Sequence, residues 1–250
     1  MASQRYAVGI DIGGSGIKGG LVDLDAGELV GERVRQGTPQ PATPQPVAEA
    51  VGAVAGSFGL EGPFGVAFPG PVLDGTACTG VNLGDGWTGT SLRDLLGPRL
   101  PGTAAYLNDA DAAGLAEARF GAGRGRRGLV VVVTLGTGIG TALVHDGRLV
   151  PNSELGHLEV DGHDAETRAA DSARKREELG WDEWADRVTR YLNVLESLLW
   201  PELIVLGGGV SKKADDWLPL LRTRTPLELA VLRNEAGIIG AALAGYEAVH

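Results

Sequence analysis

Apolar runs that end in glycine-rich turns occur three times along the chain. The first covers residues 6–11, turns at residues 13–16 and continues at residues 21–24. The second covers residues 128–134, turns at residues 136–140 and continues at residues 141–145. The third, residues 203–206, runs into three glycines. Strand, glycine turn and strand in the same order predict a duplicated β-hairpin.

The remaining pattern predicts helices and further strands between these hairpins. We expect strands at residues 29–35, 64–68 and 104–107, a long irregular loop at residues 70–101, and helices at residues 47–58, 110–120 and 235–249. Pro46 would take the first position of the first helix. Apolar residues at spacings of three and four predict an amphipathic helix that ends before Pro201: Trp181, Trp184, Val188, Leu192, Leu195 and Leu199. The order predicts an α/β protein with mixed sheets flanked by helices, in two lobes with a cleft between them.

Composition narrows the class of protein. The 22 basic and 32 acidic residues give a net charge of −10, which argues against a nucleic-acid partner. No apolar stretch reaches the 18 residues of a membrane span, and the single cysteine, Cys78, cannot form an internal disulfide. We therefore expect a cytoplasmic protein with no membrane partner. Glycine is the exception, with 40 residues gathered beside apolar strands.

Several signatures of common enzymes are missing. The sequence contains no G-x-x-x-x-G-K-[ST], G-x-S-x-G or H-E-x-x-H. A G-x-G-x-x-G pattern begins at Gly123, but it precedes a strand and we interpret it as a loop. These observations disfavour P-loop ATPases, nicotinamide dehydrogenases, serine hydrolases and zinc proteases.

The glycine turns are candidates for phosphate binding, because backbone N–H groups can converge on an anion where no Cβ intervenes. Three of the four lysines lie in or just after these turns, which would suit a polyanionic donor; Arg174, Lys175 and Arg176 could extend the charge. Plain hairpin turns and solvated lysines are the alternative. The candidates are Gly13, Gly14, Ser15, Gly16, Lys18, Gly136, Thr137, Gly138, Gly208, Gly209, Lys212 and Lys213.

Two polar segments carry further candidate chemistry. Asn108 and Asp109 stand between a strand and a helix, where a carboxylate either caps the helix or accepts a proton from an attacking hydroxyl. Carboxylates and two histidines crowd residues 154–166. That cluster suits a metal site, a solvated surface or paired hydrogen bonds to sugar hydroxyls, and we favour the sugar.

Together these segments resemble the ROK family of sugar kinases, within the actin-like/hexokinase superfamily. The resemblance rests on Asp11-Ile12-Gly13-Gly14, Leu107-Asn108-Asp109-Ala110, residues 135–140, Glu154-Leu155-Gly156-His157 and residues 206–211. It implies a small lobe at 1–108, on which the C-terminal helix of residues 235–250 packs back, and a large lobe at 109–234. The cysteine-rich zinc stretch typical of the family is replaced by residues 161–166 without cysteine, so we expect no structural zinc. The usual Gly-Gly-Thr-Lys is replaced by residues 14–18.

In both of these departures the sequence resembles the polyphosphate glucokinases within this family. The resemblance implies glucose phosphorylated at its 6-hydroxyl by inorganic polyphosphate, and by ATP, with Mg²⁺ and with Asp109 as general base. It assigns Asn82, Asn108, Glu154, His157 and Glu166 to the sugar, assigns Asp11 to the magnesium ion, and leads us to expect a homodimer. The alternative is an ATP-dependent glucokinase, or a kinase of another hexose such as mannose. A ROK-type repressor is disfavoured, because the first glycine turn begins too early for a preceding DNA-binding domain.

Overall fold

The structure is a computed structural model that describes residues 5–80 and 83–250. The first half of the chain contains β1 (Tyr6–Ile12), β2 (Ile17–Asp23), β3 (Glu28–Leu29), β4 (Val34–Gln36), α1 (Pro44–Gly56), β5 (Phe64–Phe68), β6 (Val72–Leu73), β7 (Thr76–Ala77), α2 (Leu92–Leu96), β8 (Ala104–Asn108) and α3 (Asp109–Arg119). The second half contains β9 (Leu129–Leu135), β10 (Ile139–His145), β11 (Arg148–Val150), β12 (Glu159–Val160), β13 (His163–Asp164), α4 (Ala165–Ala169), α5 (Asp171–Arg176), α6 (Trp181–Leu199), β14 (Leu203–Gly207), α7 (Ala214–Trp217), β15 (Leu227–Leu229) and α8 (Ala236–Glu247).

The chain divides into two compact units. Unit 1 comprises the described residues up to Ala116 together with Glu235–His250, and unit 2 comprises Glu117–Asn234. The division therefore falls within α3, further along the chain than residue 108, because the first turns of this helix pack in unit 1. No helix in the described part of the chain is long and apolar enough to cross a membrane.

Unit 1 is built on a mixed sheet in the order β3-β2-β1-β5-β8, with β4 also paired to β2. The β1–β2 hairpin is antiparallel, whereas β1 pairs with β5, and β5 with β8, in parallel. Every residue of β5 is buried, as expected for a parallel strand covered on both faces. Helix α1 contributes to the core on one face and α8 packs on β1 and β5. The predicted mixed sheet is confirmed.

Glycines bring α8 into direct backbone contact with the sheet. A Cβ on Gly9 of β1 would clash with the carbonyl oxygen of Ile238, and one on Gly65 of β5 would clash with that of Ala241. On the helix, a Cβ at Gly240 would meet the carbonyl of Ala112 in α3. The helix thus lies closer to the strands and to α3 than side chains would permit.

Unit 2 repeats the hairpin in a second mixed sheet, ordered β11-β10-β9-β14-β15. Strands β9 and β10 are antiparallel, and β14 is parallel to both β9 and β15. The duplicated hairpin is therefore confirmed. The amphipathic helix is also confirmed as α6, whose Trp184 is fully buried and packs edge-on against Trp217 at 5.4 Å between ring centroids. The G-x-G-x-x-G pattern at residues 123–128 lies in turns and loop before β9, as interpreted.

Three sequence-based assignments were wrong in detail. The strand expected at residues 29–35 is two short strands, β3 and β4, separated at Gly31, whose φ of 79° an extended strand cannot accommodate. Helix α1 begins at Pro44 after Thr43, so Pro44 rather than Pro46 takes the first position. The expected loop at residues 70–101 contains β6, β7 and α2, and the Ser91 side chain caps α2 by accepting the Asp94 N–H at 3.1 Å.

Replacing Gly65 by alanine should destabilise the protein. The new Cβ would meet the α8 backbone, which cannot move aside as a flexible side chain can, and overpacking of this kind costs about 1–3 kcal/mol. Urea unfolding followed by circular dichroism measures the difference. Gly56→Ala is the matched control, because Gly56 ends α1 with no atom within 4 Å of a built Cβ, and alanine there should raise stability. Equal stability of Gly65→Ala and wild type would contradict the proposed close contact.

Candidate active site

The first glycine turn, in unit 1, leaves two adjacent N–H groups unused. Gly13 and Gly16 bond to each other, with N···O distances of 3.1 and 3.4 Å, and the Thr38 hydroxyl donates to the Gly13 carbonyl at 2.5 Å. Within the described residues, the N–H groups of Gly14 and Ser15 donate no hydrogen bond. Adjacent free N–H groups at a glycine turn form a concavity that suits an anion.

Charged side chains cross three neighbouring strands beside this turn. Asp11 lies opposite Lys18 in the β1–β2 pairing, with Lys18 Nζ 3.3 Å from Asp11 Oδ2. Lys18 in turn lies opposite Arg35 of β4, whose guanidinium is 3.4 Å from the Ser15 carbonyl. Two cations directly opposite each other repel, so an anion bound at the turn would relieve that cost. Arg35 and Thr38 were not predicted from the sequence, because only the β2–β4 register and the fold of the loop bring them to the turn.

Asn108 and Asp109 lie at the start of α3 and differ in exposure. The Asn108 side chain is buried and caps α3, its Oδ1 accepting the N–H groups of Ala110 at 2.7 Å and Asp111 at 3.3 Å. Asp109 is exposed at the same carboxyl edge of the parallel strands as Asp11. The Asp109 Oδ1 also accepts the Ala110 N–H, at 2.8 Å, so both side chains bond to the start of α3.

The second glycine turn, in unit 2, is held by hydrogen bonds to residues of α4 and α5. Glu166 Oε2 accepts the Ile139 N–H at 2.7 Å, and a Cβ on Gly138 would clash with this carboxylate. Ser172 donates its hydroxyl to the Thr137 carbonyl at 2.6 Å and its N–H to the Gly136 carbonyl at 3.0 Å. Among the described residues, the N–H groups of Thr137 and Gly138 donate no hydrogen bond, so this turn repeats the anion-binding geometry of the first.

The Glu154–His157 segment is fixed against the start of β10. The buried Thr141 hydroxyl donates to the Ser153 carbonyl at 2.6 Å and accepts the Leu155 N–H at 3.0 Å. A Cβ on Gly156 would clash with the Ile139 carbonyl, which explains the glycine at that position. Glu154 and His157 are exposed at either end of the segment.

Asp164 orients His157 and at the same time caps α4. Its Oδ2 is 2.8 Å from His157 Nδ1, and its Oδ1 accepts the Glu166 N–H at 2.9 Å. The hydrogen bond to Asp164 raises the His157 pKa above 6.5, with smaller contributions from Glu166 and Glu154. This pair places the proton on Nδ1 and leaves Nε2 for a ligand.

The structure thus brings Glu154, His157 and Glu166 near one another. It gives no support to the alternative that residues 154–166 form a metal site. The described residues contain no group of three or more His, Cys, Asp or Glu side chains that could hold a metal ion. Asp164 lies within the predicted cluster, but its bond to His157 was not predicted, and Ser172 was missed because nothing in the local sequence shows what it contacts. Asn82 lies outside the described residues.

The third glycine turn lies against the strand that leads into the second. Gly208 has a φ of 87°, and a Cβ there would clash with the Leu135 carbonyl at the end of β9. Gly208, Gly209 and Lys212 line a cavity of about 550 Å³ whose wall also includes Ser211, Arg233 and Asn234. Arg174 and Lys175 are instead paired with Asp171, and Arg176 with Glu177.

The chain belongs to the ROK family, whose sequence model matches residues 7–171. Its mixed sheets flanked by helices are consistent with the two-lobed hexokinase-type fold of ROK sugar kinases.

Relatives within the family are similar over nearly the whole chain. A polyphosphate glucokinase of Mycobacterium tuberculosis is 53% identical over 97% of this chain and 92% of its own length. The crystal structure of an inorganic polyphosphate/ATP-glucomannokinase from Arthrobacter sp. strain KM is 53% identical, with a TM-score of 0.92 over 98% of this chain and 100% of that one. A ROK family glucokinase from Streptomyces griseus, solved with glucose and AMPPNP, is 25% identical, with a TM-score of 0.84 over 97% and 100% of the two chains.

Asp164→Asn should weaken the orientation of His157 in a pH-dependent way. The amide keeps an oxygen for the Glu166 N–H but removes the charge that raises the His157 pKa. A raised pKa means that the pair stabilises the folded state below about pH 6.5, and that this contribution is lost as the pH rises through the folded-state pKa. We expect NMR titration to give a lower His157 pKa in the variant, and its loss of Tm to be larger at about pH 5.5 than at about pH 8.5.

Asp146→Asn is the control for this experiment. Asp146 is an exposed turn residue with a φ of 49°, a conformation that asparagine also tolerates. We expect Asp146→Asn to change neither the His157 pKa nor the pH dependence of Tm. An unaltered His157 pKa in Asp164→Asn would show that the pair does not form in solution.

Proposed function

We propose that this protein transfers a phosphoryl group from inorganic polyphosphate to the 6-hydroxyl of glucose, and that ATP serves as a second donor. The observation that carries the proposal is 53% identity, over nearly the whole chain, to a polyphosphate glucokinase and to a polyphosphate/ATP-glucomannokinase of the same fold. The exposed Asp109, the two anion-binding turns and the polar cluster of residues 154–166 supply the groups that this reaction needs.

Asp109 acts as the general base in this proposal. Its carboxylate accepts the proton of the 6-hydroxyl as that oxygen attacks the terminal phosphorus; the bond to the bridging oxygen breaks, and the donor leaves one phosphate shorter. Phosphoryl transfer depends mainly on positioning and charge stabilisation, so one well-placed carboxylate suffices. Asn108 holds the helix start, and because its Oδ1 caps α3, its contact with sugar would use the amide nitrogen.

The sugar is held by Glu154, His157 and Glu166. Carboxylates accept hydrogen bonds from sugar hydroxyls, and the outward Nε2 of His157 accepts one more while Nδ1 donates to Asp164. Glu166 has one oxygen bonded to the Ile139 N–H, which leaves its Oε1 for the sugar. Asn82 remains a predicted sugar contact.

In unit 1, the free N–H groups of Gly14 and Ser15 are candidate contacts for a donor phosphate, with Lys18 and Arg35 beside them. In unit 2, the free N–H groups of Thr137 and Gly138 are candidates of the same kind. A cavity of about 550 Å³ at Gly208 and Lys212 falls within the usual range of small-molecule sites, which supports a nucleotide as second donor. The name of the Arthrobacter relative supports mannose as a second acceptor. Turnover of glucose and mannose with each donor tests these assignments.

Magnesium would be carried largely by the donor. Mg²⁺ takes one or two carboxylates together with substrate phosphates, so Asp11 beside the first glycine turn fits such an ion. When bound, the ion neutralises the charge of the donor oxygens. The expectations of a homodimer and of a cytoplasmic location stay predictions.

Asp109→Asn should lower kcat by about 10² to 10⁴, because asparagine keeps the shape of aspartate but cannot accept the proton. Steady-state formation of glucose 6-phosphate from glucose and polyphosphate measures the loss. Asp74→Asn is the control, since Asp74 is exposed at a turn with a φ of 49° that asparagine tolerates. If Asp109→Asn keeps more than about a third of the wild-type turnover, Asp109 is not the base.

Replacing Lys212 and Lys213 together by alanine should raise KM for polyphosphate more than KM for ATP. Both residues follow the third glycine turn, and a long polyphosphate can reach charges that the three phosphates of ATP cannot. Each exposed contact contributes less than about 1 kcal/mol, but adjacent contacts to one polyanion accumulate. We expect an increase of several-fold, with a weaker salt dependence and an unchanged KM for glucose.

Arg93→Ala in unit 1 serves as the control for loss of an exposed charge, because Arg93 is 69% exposed and paired only weakly, with its guanidinium 3.8 Å from Asp74. An equal rise in KM for both donors would place the lysines at phosphates that the donors share. No rise with either donor would make them surface charges without a role in binding.

A further inference from the structure

A second cavity in unit 2 lies apart from the groups used so far. It has a volume of about 160 Å³ and opens between the β12–β13 hairpin, α4 and α6. On α4, Ala165, Arg168 and Ala169 line it, whereas Glu166 of the same helix bonds to the second glycine turn. None of its lining residues has a role in the proposed reaction.

The cavity carries an excess of positive charge. Arg168, Arg187 and Arg190 line it, against the single carboxylate of Asp161. Arg187 is neutralised by Glu177, at 2.7 Å, and Arg190 is 3.3 Å from Asp161 in a pair that is more than half exposed on both sides. Within the described residues, the Arg168 guanidinium has no ion pair or hydrogen bond, and its charge acts on Glu177 from a distance, where it helps to lower the pKa of that carboxyl. Arg168 is therefore the charge available to a ligand, with Arg190 beside it.

The Tyr191 side chain supplies a second and independent observation. It lines the same cavity, is 1% exposed, and its hydroxyl has no hydrogen-bond partner among the described residues. Buried polar groups are nearly always hydrogen-bonded, so such a hydroxyl requires an explanation. Burial and the nearby Glu166 raise the pKa of Tyr191, so the hydroxyl keeps its proton and can donate it in a hydrogen bond.

We propose that this cavity binds a phosphate group, with Arg168 and Arg190 as charged donors and the Tyr191 hydroxyl as the inner donor. Guanidinium groups match the oxygens of phosphate in geometry as well as in charge, and a neutral tyrosine adds a donor without a competing acceptor charge. The phosphate comes either from a polyphosphate chain, at a position remote from the transferred group, or from free orthophosphate. Only the first source rests on the proposed function.

Calorimetric titration of orthophosphate, and of long-chain polyphosphate, into wild type, Arg168→Ala and Tyr191→Phe tests the site. We expect each variant to lose one phosphate site per chain, or to weaken it about tenfold, a change of about 1.4 kcal/mol. Tyr191→Phe keeps the buried ring and removes a hydroxyl that has no partner, so its thermal unfolding should match or exceed that of wild type. Arg127→Ala is the matched control, because Arg127 is likewise exposed and without an ion pair among the described residues of unit 2. It should bind phosphate as wild type does.

Steady-state kinetics distinguishes the two sources. If the cavity holds part of the donor, Arg168→Ala raises KM for long polyphosphate and leaves KM for tripolyphosphate, KM for ATP and kcat unchanged. If the cavity holds free orthophosphate, the calorimetric titrations of Arg168→Ala and wild type differ, and every KM stays the same. Failure of the proposed function would show as the absence of polyphosphate-dependent turnover in wild type, and would leave the orthophosphate titration valid. Orthophosphate binding that is absent in wild type, or equal in all four proteins, would overturn the proposal.

Discussion

The backbone contact of α8 with the central strands determines where the candidate site residues of unit 1 lie. Gly9 and Gly65 leave no side chain between strand and helix, and Gly240 does the same between α8 and α3. The first turn of α8 also lies against Asp11, since a Cβ on Gly237 would be 3.4 Å from the Asp11 Cγ. A single helix therefore sets the end of β1 and the start of α3, and with them the carboxylates of Asp11 and Asp109.

In unit 2 a short polar segment takes the corresponding role through hydrogen bonds. Asp164 bonds to His157, Glu166 accepts the Ile139 N–H, and Ser172 donates to the second glycine turn. The candidate sugar contacts and the candidate phosphate contacts thus share one support. Displacing that support would disturb both sets at once, so the segment is as important to the site as the residues that would touch substrate.

Local patterns were enough to predict the large elements and both hairpins. The spacing of the tryptophans and leucines in α6, and the apolar runs before each glycine turn, are properties of a few consecutive residues. The short strands β6 and β7 were missed because two residues carry no periodicity. Arg35 was missed because its position opposite Lys18 follows from strand register, and Ser172 because its contacts are 35 residues away along the chain. Only the structure shows that Asn108 is buried and Asp109 exposed, although both accept the Ala110 N–H.

The pairing of His157 with Asp164 has a consequence for the conditions under which the histidine stays in place. The contact that holds the His157 ring is made by a carboxylate and involves no cysteine thiol. Cys78, the one cysteine of the chain, belongs to the other unit. Neither peroxide nor a thiol-modifying reagent can remove the group that orients the ring. A change of pH can weaken the contact: the hydrogen bond to Asp164 raises the pKa of His157, and as the pH rises through that pKa the ring loses its positive charge and the ion pair becomes a neutral hydrogen bond. The orientation of His157 therefore depends on acidity, and the redox state of the surroundings leaves it unchanged.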